Sequence, residues 1–258
     1  MQWMSNEEWQ TRVVIAAHHP DRLSWPAARP GTIARDRFVH TLQWNVFRTL
    51  ELLPPAFWLR RLHARLTREV RPTAPQTVAV ELWPMLPLPP AQRVDTRCRF
   101  ASVDVLVETE HGVWVFVDGG GTNDDDRVGA ASTALADVIH AARWRAGTRE
   151  YCVGVLHLED EGRAQSDRIT ERYTRSPYSL ALRSTATIRS GVPRPPIGVV
   201  SWNEVAAVLR DVFDAETLSP IDRALARNAL DWLMRVGIHP VTSEVALSSI
   251  STSQSQGS

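Results

Sequence analysis

The stretch SVDVLVETEHGVWVFVDGGGTNDDD, Ser102 to Asp126, decides the fold. Two β-branched and apolar runs flank Glu110-His111-Gly112, the pattern of a β-hairpin. Each run carries one carboxylate that a buried strand has no ordinary use for: Asp104 opens the first and Asp118 closes the second. Their relation depends on register. With a two-residue turn at His111-Gly112, Asp104 faces Gly119 and Asp118 lies on the other side of the sheet. With a three-residue loop, Glu110-His111-Gly112, Thr109 pairs with Val113 and Asp104 stands directly across from Asp118. A three-residue hairpin wants a left-handed residue at its end, and Gly112 can supply it. The second register is therefore the expected one. It brings the two Cβ atoms to roughly 5 Å.

Two ionised carboxylates that close repel each other and need a shared proton, an arginine or a divalent cation. Hard oxygen ligands on adjacent strands suit Mg²⁺, which takes one or two carboxylates and keeps several waters. Gly120, two residues beyond Asp118, leaves open space on the same side. The bland reading is that strand-end aspartates bond to backbone or begin a turn.

Outward from the hairpin the chain alternates helix and strand signals. A helical period runs from His40 to Leu53, with Trp44, Phe47 and Leu50 at three-residue intervals beside Leu42 and Val46. Pro54-Pro55 interrupts it. A second helix is expected over Ala56 to Val70 on Phe57, Leu59, Leu62 and Leu66. PMLPLPPAQR reads as an extended, proline-rich connection. After the hairpin, a helix is expected over Val128 to Ala146, ended by Gly147. YCVGVLHL and IGVVSW read as buried strands, and one helix is expected around Ser166 to Tyr173. Ser201 and Glu204 form a capping box opening a helix to Phe213. Ser219-Pro220 starts the last helix, which ends at Gly237. This order implies one α/β domain with a mixed sheet, spanning 39–240. A 1–38 extension precedes it, and a serine-rich tail, 241–258, follows.

Composition excludes little. The 258 residues carry 29 basic and 29 acidic side chains, so no global charge argues for nucleic acid. No apolar run reaches bilayer length, and the acidic, aromatic start does not resemble a secretory signal. The expectation is a cytoplasmic protein with Cys98 and Cys152 reduced and buried. The sequence contains no lysine, so all 29 basic residues are arginines. Leu59 to Arg71 holds five of them against one glutamate, and Gly162 to Pro196 holds seven against Asp167 and Glu171. These are phosphate-facing surfaces or solvated faces. His140, one turn beyond Asp137, is a further candidate beside the acids.

The hairpin and its flanking order resemble the PD-(D/E)XK nuclease superfamily, the restriction-endonuclease-like fold. There a helix carries an early acid, a hairpin carries an aspartate and then Asp/Glu-x-Lys, and a helix and a further strand complete the core. The resemblance covers roughly Val39 to Leu158. It implies Glu51 as the early acid, Asp104 and Asp118 as metal-holding catalytic acids, Mg²⁺ as the ion, and DNA phosphates met by Arg60, Arg61, Arg127 and Arg143. Two positions depart from the pattern. Val103 stands where proline is usual, and Gly120 stands where the lysine belongs. Arginine cannot replace that lysine as a base because it stays protonated. Two functions follow from the resemblance. One is a pseudoenzyme, weakly active or inactive, that binds DNA or a partner protein. The other is an active Mg²⁺-dependent endonuclease.

Overall fold

The computed structural model describes residues 32–67, 75–90, 100–119, 125–158 and 196–241, with 32–37 and 125–134 described as helix backbone only. In chain order these form helices α1 (Thr32–Leu52) and α2 (Pro55–Thr67), and strands β1 (Ala79–Leu82), β2 (Met85–Pro87), β3 (Phe100–Ser102), β4 (Val105–Glu108) and β5 (Gly112–Asp118). Helix α3 (Asp125–Ala146), strands β6 (Glu150–His157) and β7 (Ile197–Ser201), and helices α4 (Trp202–Phe213) and α5 (Pro220–Arg235) follow. The main sheet has the order β1-β4-β5-β6-β7. β1, β4 and β5 are antiparallel neighbours, and β6 and β7 are added in parallel. The sheet is mixed, and helices cover both faces. Among the described residues no helix is long and apolar enough to cross a membrane.

Alternation along each strand sorts the core into two layers. Val105, Val107, Trp114, Phe116, Cys152, Leu156 and Val200 face α1, α2, α4 and α5. Leu106, Val113, Val115, Val153, Val155 and Val199 face α3. β6 is buried on both sides, which is why its sequence reads as a continuous apolar run. On α1 the stripe Leu42, Val46, Phe47 and Leu50 is fully buried, as the helical period requires. On α2 the buried face contains Trp58, and Phe57 is only half-buried. The capping box at Ser201 and Glu204 is formed, with both reciprocal hydrogen bonds present. Gly147 and Gly237 adopt the left-handed conformation at helix ends. Cys152 is buried; Cys98, the helix expected around Ser166 to Tyr173 and Gly120 lie outside the described residues.

The proline-rich connection and the residues just before it were not read as strand, yet together they supply two. β1 becomes the sheet edge, and β2 pairs with β3 as a separate two-stranded ribbon. Leu86 and Ala101 turn inward from that ribbon to pack with α3. Proline is tolerated there because an edge strand leaves some N–H groups unused in the ladder.

The hairpin register differs from the expected one. Val105 pairs with Phe116 and Glu108 with Val113, so the loop is the two residues Glu110-His111. Gly112 is the first residue of β5 and does not adopt a left-handed φ. Its lack of a side chain serves close approach: a Cβ there would lie 3.0 Å from the Glu150 carbonyl oxygen and 3.1 Å from the Trp114 ring. The turn is closed by other means. The Thr109 hydroxyl accepts from the backbone N–H groups of His111 and Gly112, at 3.1 and 3.0 Å. The Glu110 carboxylate accepts from the Gln76 N–H at 2.6 Å and from the Thr77 hydroxyl at 3.0 Å. These bonds, the Gln76 N–H foremost, hold the Glu110 carboxyl down to about 2.

A second acid locks α3 to the hairpin. Glu108 accepts from Arg145 at 2.6 Å and from Arg149 at 3.0 Å. Burial pushes its carboxyl up, but the hydrogen bonds and charges of the two guanidinium groups outweigh this and leave it lowered. A lowered carboxyl stabilises the fold above the unfolded glutamate range and loses that contribution as pH falls through the folded value. Glu108→Gln is expected to cost about 0.5–1 kcal/mol at neutral pH. That cost should shrink progressively in urea titrations as pH falls below the unfolded glutamate range, about 4.3. A cost independent of pH would contradict the ion-pair account.

Candidate functional site

Asp104 lies where the chain leaves one sheet for another. β3 pairs with β2 and β4 pairs with β1, and the alternation of faces breaks between them: Val103 packs toward α3, whereas Val105 packs toward α1. Extending the β4–β5 register puts Asp104 opposite Val117, not opposite Asp118. The Asp104 side chain nonetheless reaches Asp118, at its backbone N–H. The Asp104 N–H instead donates to the Phe116 carbonyl at 3.0 Å, so Asp104 and Val105 both stand opposite Phe116 as a β-bulge, while the Asp104 carbonyl keeps the β1 register by accepting from the Trp83 N–H at 2.8 Å. Beyond it the backbone turns away toward β2. The Asp104 carboxylate then takes the ladder position that a backbone carbonyl would have filled. Its Oδ2 accepts from the Asp118 backbone N–H at 2.6 Å.

Asp118 closes β5 on the face of Phe116, two residues earlier, by strand alternation. On the opposite side of its peptide, the Gly119 N–H donates to the Leu156 carbonyl at 2.7 Å. Gly119 is required here. A Cβ would meet the imidazole of His157, its Nδ1 at 2.6 Å. His157 is buried at the end of β6, beside Ser201 in the β6–β7 register. Residue-by-residue reading of the sequence passed over His157; the glycine immediately after Asp118 was its only trace.

Glu51 is not brought to this pair. Its carboxylate accepts from the Val80 N–H at 3.0 Å and from Arg48 at 2.6 Å, and Arg48 also donates to the Val80 carbonyl at 2.9 Å. The two side chains thus satisfy the outer edge of β1. Val80 is in the row of Val107 and Trp114, so Asp118 lies four residues further along β5 and two strands across, roughly 13 Å along and 10 Å across. The side of α1 that does reach the acid row is one to two turns earlier. Phe47 packs on Phe116, and Gln43 accepts from the Trp83 indole N–H at 2.9 Å. Trp83 stands directly opposite Asp104.

The arginine candidates do not converge. Arg60 is exposed on α2 and Arg61 donates back to the Phe57 carbonyl of the same helix. Arg143 is exposed near the end of α3, across the sheet from α2. Arg127 lies in the first turn of α3, in the part described as backbone only. On α3, burial raises the Asp137 carboxyl, and burial with Arg143 lowers the His140 imidazolium.

Two hard carboxylates at one sheet end fit the donor set Mg²⁺ takes from a protein. Among the described residues no group of three or more His, Cys, Asp or Glu side chains is placed to hold a metal. No family model, no curated protein and no solved structure matches the chain.

Proposed function

We propose that the protein is a PD-(D/E)XK nuclease-like, nucleic-acid-binding protein whose catalysis is weakened by the missing lysine. The observation that carries this reading is the Asp104 carboxylate held on the Asp118 backbone N–H at the end of the β4–β5 hairpin, which places two acidic residues side by side. The order of elements supports it: helix α1, the antiparallel β4–β5 hairpin, helix α3 and the parallel strand β6 follow one another as the resemblance implies, with α2, β1, β2 and β3 inserted between α1 and the hairpin. Asp104 and Asp118 would hold Mg²⁺, which when bound supplies a hydroxide from water and neutralises developing charge on phosphate. The Asp104 carboxylate is oriented by the Asp118 N–H. Glu51 fixes the edge of the sheet and does not serve as a third acid. Gly120 contributes no ammonium group to the scissile phosphate, so turnover is slow or lost while binding remains. A partner protein that supplies the missing cation, in a larger nuclease assembly, fits the same reading.

Plasmid nicking with Mg²⁺ or Mn²⁺ tests this. Weak, metal-dependent nicking is expected, lost in Asp104→Ala. Asp104→Asn separates the two roles of the side chain: it keeps an acceptor for the Asp118 N–H and loses the charge, so stability is retained and nicking is not. Gly120→Lys is expected to raise cleavage at least tenfold. Robust cleavage by the unaltered chain favours the active endonuclease. Absence of both cleavage and DNA binding overturns the proposal.

A further inference from the structure

Beside the acid pair stands an aromatic surface that the proposed chemistry has not used. Trp83 follows β1 with φ of 56°. That left-handed conformation is costly for a bulky residue and is kept where the surroundings over-determine it. They do so here. The backbone N–H is fixed on the Asp104 carbonyl, the indole N–H on Gln43, and one ring face lies stacked at 18° on Trp44, centroids 6.1 Å apart. Arg48 lies over the Trp44 ring at 5.3 Å, and His40 meets Trp83 edge-on at 5.3 Å. Despite four restraints, the residue is 41% exposed. A side chain this constrained and yet open to solvent has lost its rotamer entropy before any ligand arrives.

We infer that Trp83 is a stacking platform for an unpaired nucleobase, and that the substrate class of the Asp104–Asp118 site is single-stranded DNA. The inference rests on the nuclease-like reading and deepens it. Trp83 and Asp104 are neighbours in one row of the sheet, about one strand spacing apart. A base on the indole therefore carries the adjoining phosphates of its strand to the acids. Bases in an intact duplex are stacked on one another and cannot take this position, whereas a single strand or frayed end can. Stacking tolerates any base because every base has a π face. Gln43 is a positioning residue: it is fully buried and holds the indole by its N–H.

The test is fluorescence anisotropy of the full chain in EDTA at fixed salt. The probes are labelled oligothymidylate and a labelled abasic strand of equal length, which keeps the phosphates and lacks the bases. The unaltered protein is expected to bind oligothymidylate about tenfold tighter than the abasic strand. Trp83→Ala should abolish that preference and leave abasic binding unchanged. Trp83→Phe should keep most of it. Trp144→Ala, an exposed tryptophan on α3 across the sheet, should keep all of it. If Trp83→Ala does not fold, Trp83→Leu, which keeps apolar bulk without a π face, reads the same loss. A preference that persists in the folded Trp83 variants overturns the platform and leaves the nuclease-like reading standing. An unaltered protein that binds neither single strands nor duplex removes that reading and the platform with it.

Discussion

Gly198→Ala is expected to destabilise the protein by about 3 kcal/mol, the range for forcing extra volume into a close-packed contact. Gly198 lies in β7, under the last turn of α2. A Cβ there would overlap the Leu66 carbonyl oxygen and stand 2.8 Å from the Leu66 Cα. The obstacle is backbone, so no side-chain rotation relieves it. Helix α2 must lift off the sheet, opening the layer in which Leu62, Leu66 and Trp202 are buried. Urea denaturation followed by circular dichroism reads the loss as a lower midpoint. A change under about 0.5 kcal/mol would mean that α2 is not seated on β7 as described. Gly147→Ala is the contrast. No atom stands within 4 Å of a Cβ at Gly147, and its φ of 63° is the only objection, so the expected cost is about 1 kcal/mol.

Phe116→Ala is expected to cost about 4 kcal/mol, as for a fully buried aromatic that leaves a cavity. The ring is completely buried, packs on Phe47 at 5.2 Å, and fills the space that Gly154 leaves open on β6. Its effect reaches the acid pair, because the Phe116 carbonyl holds the Asp104 N–H and Asp118 stands two residues further along the same face. Hydrogen exchange should therefore show lost protection at Asp104 and Asp118 before global unfolding. Phe116→Leu, which keeps most of the volume, should cost about 1.5 kcal/mol and preserve that protection. An alanine variant as stable as the leucine variant would contradict the cavity argument.

Much of the fold was legible because local signals agreed with it. The 3.6-residue period of Leu42, Val46 and Leu50, the capping box at Ser201, Ser219-Pro220, and the glycines at 147 and 237 all act within a few residues. Helix boundaries moved by several residues at α1, where no cap marks the start. The strands β1 and β2 were not legible. Their sequence, AVELWPMLP, is punctuated by proline and is too short to show a period of two.

The site was half legible. That the Asp104 side chain lies near Asp118 was read from the hairpin, but through the wrong register, and what it meets there is the Asp118 backbone N–H. The expected loop assumed that Gly112 was needed for its backbone freedom. It is needed instead to admit the Glu150 carbonyl and the Trp114 ring, neither of which is local. Glu51, which the resemblance implied as the early acid, lies on α1 at another height: that helix meets the acid row at Gln43 and Phe47. Nothing in the spacing along α1 fixes how far that helix slides along the sheet.

The sequence by itself determined the alternation of helix and strand, the hairpin, the lack of lysine and the presence of two carboxylates on adjacent strands, because these follow from residue types and their periods. Tertiary structure alone decided which residues share the Asp104 row, that a departing strand turns Asp104 into a substitute ladder acceptor, and that Trp83 is held open beside it. Those relations depend on how layers slide and where backbones touch, and such distances are set by volumes packed across the sheet from residues far away in the chain.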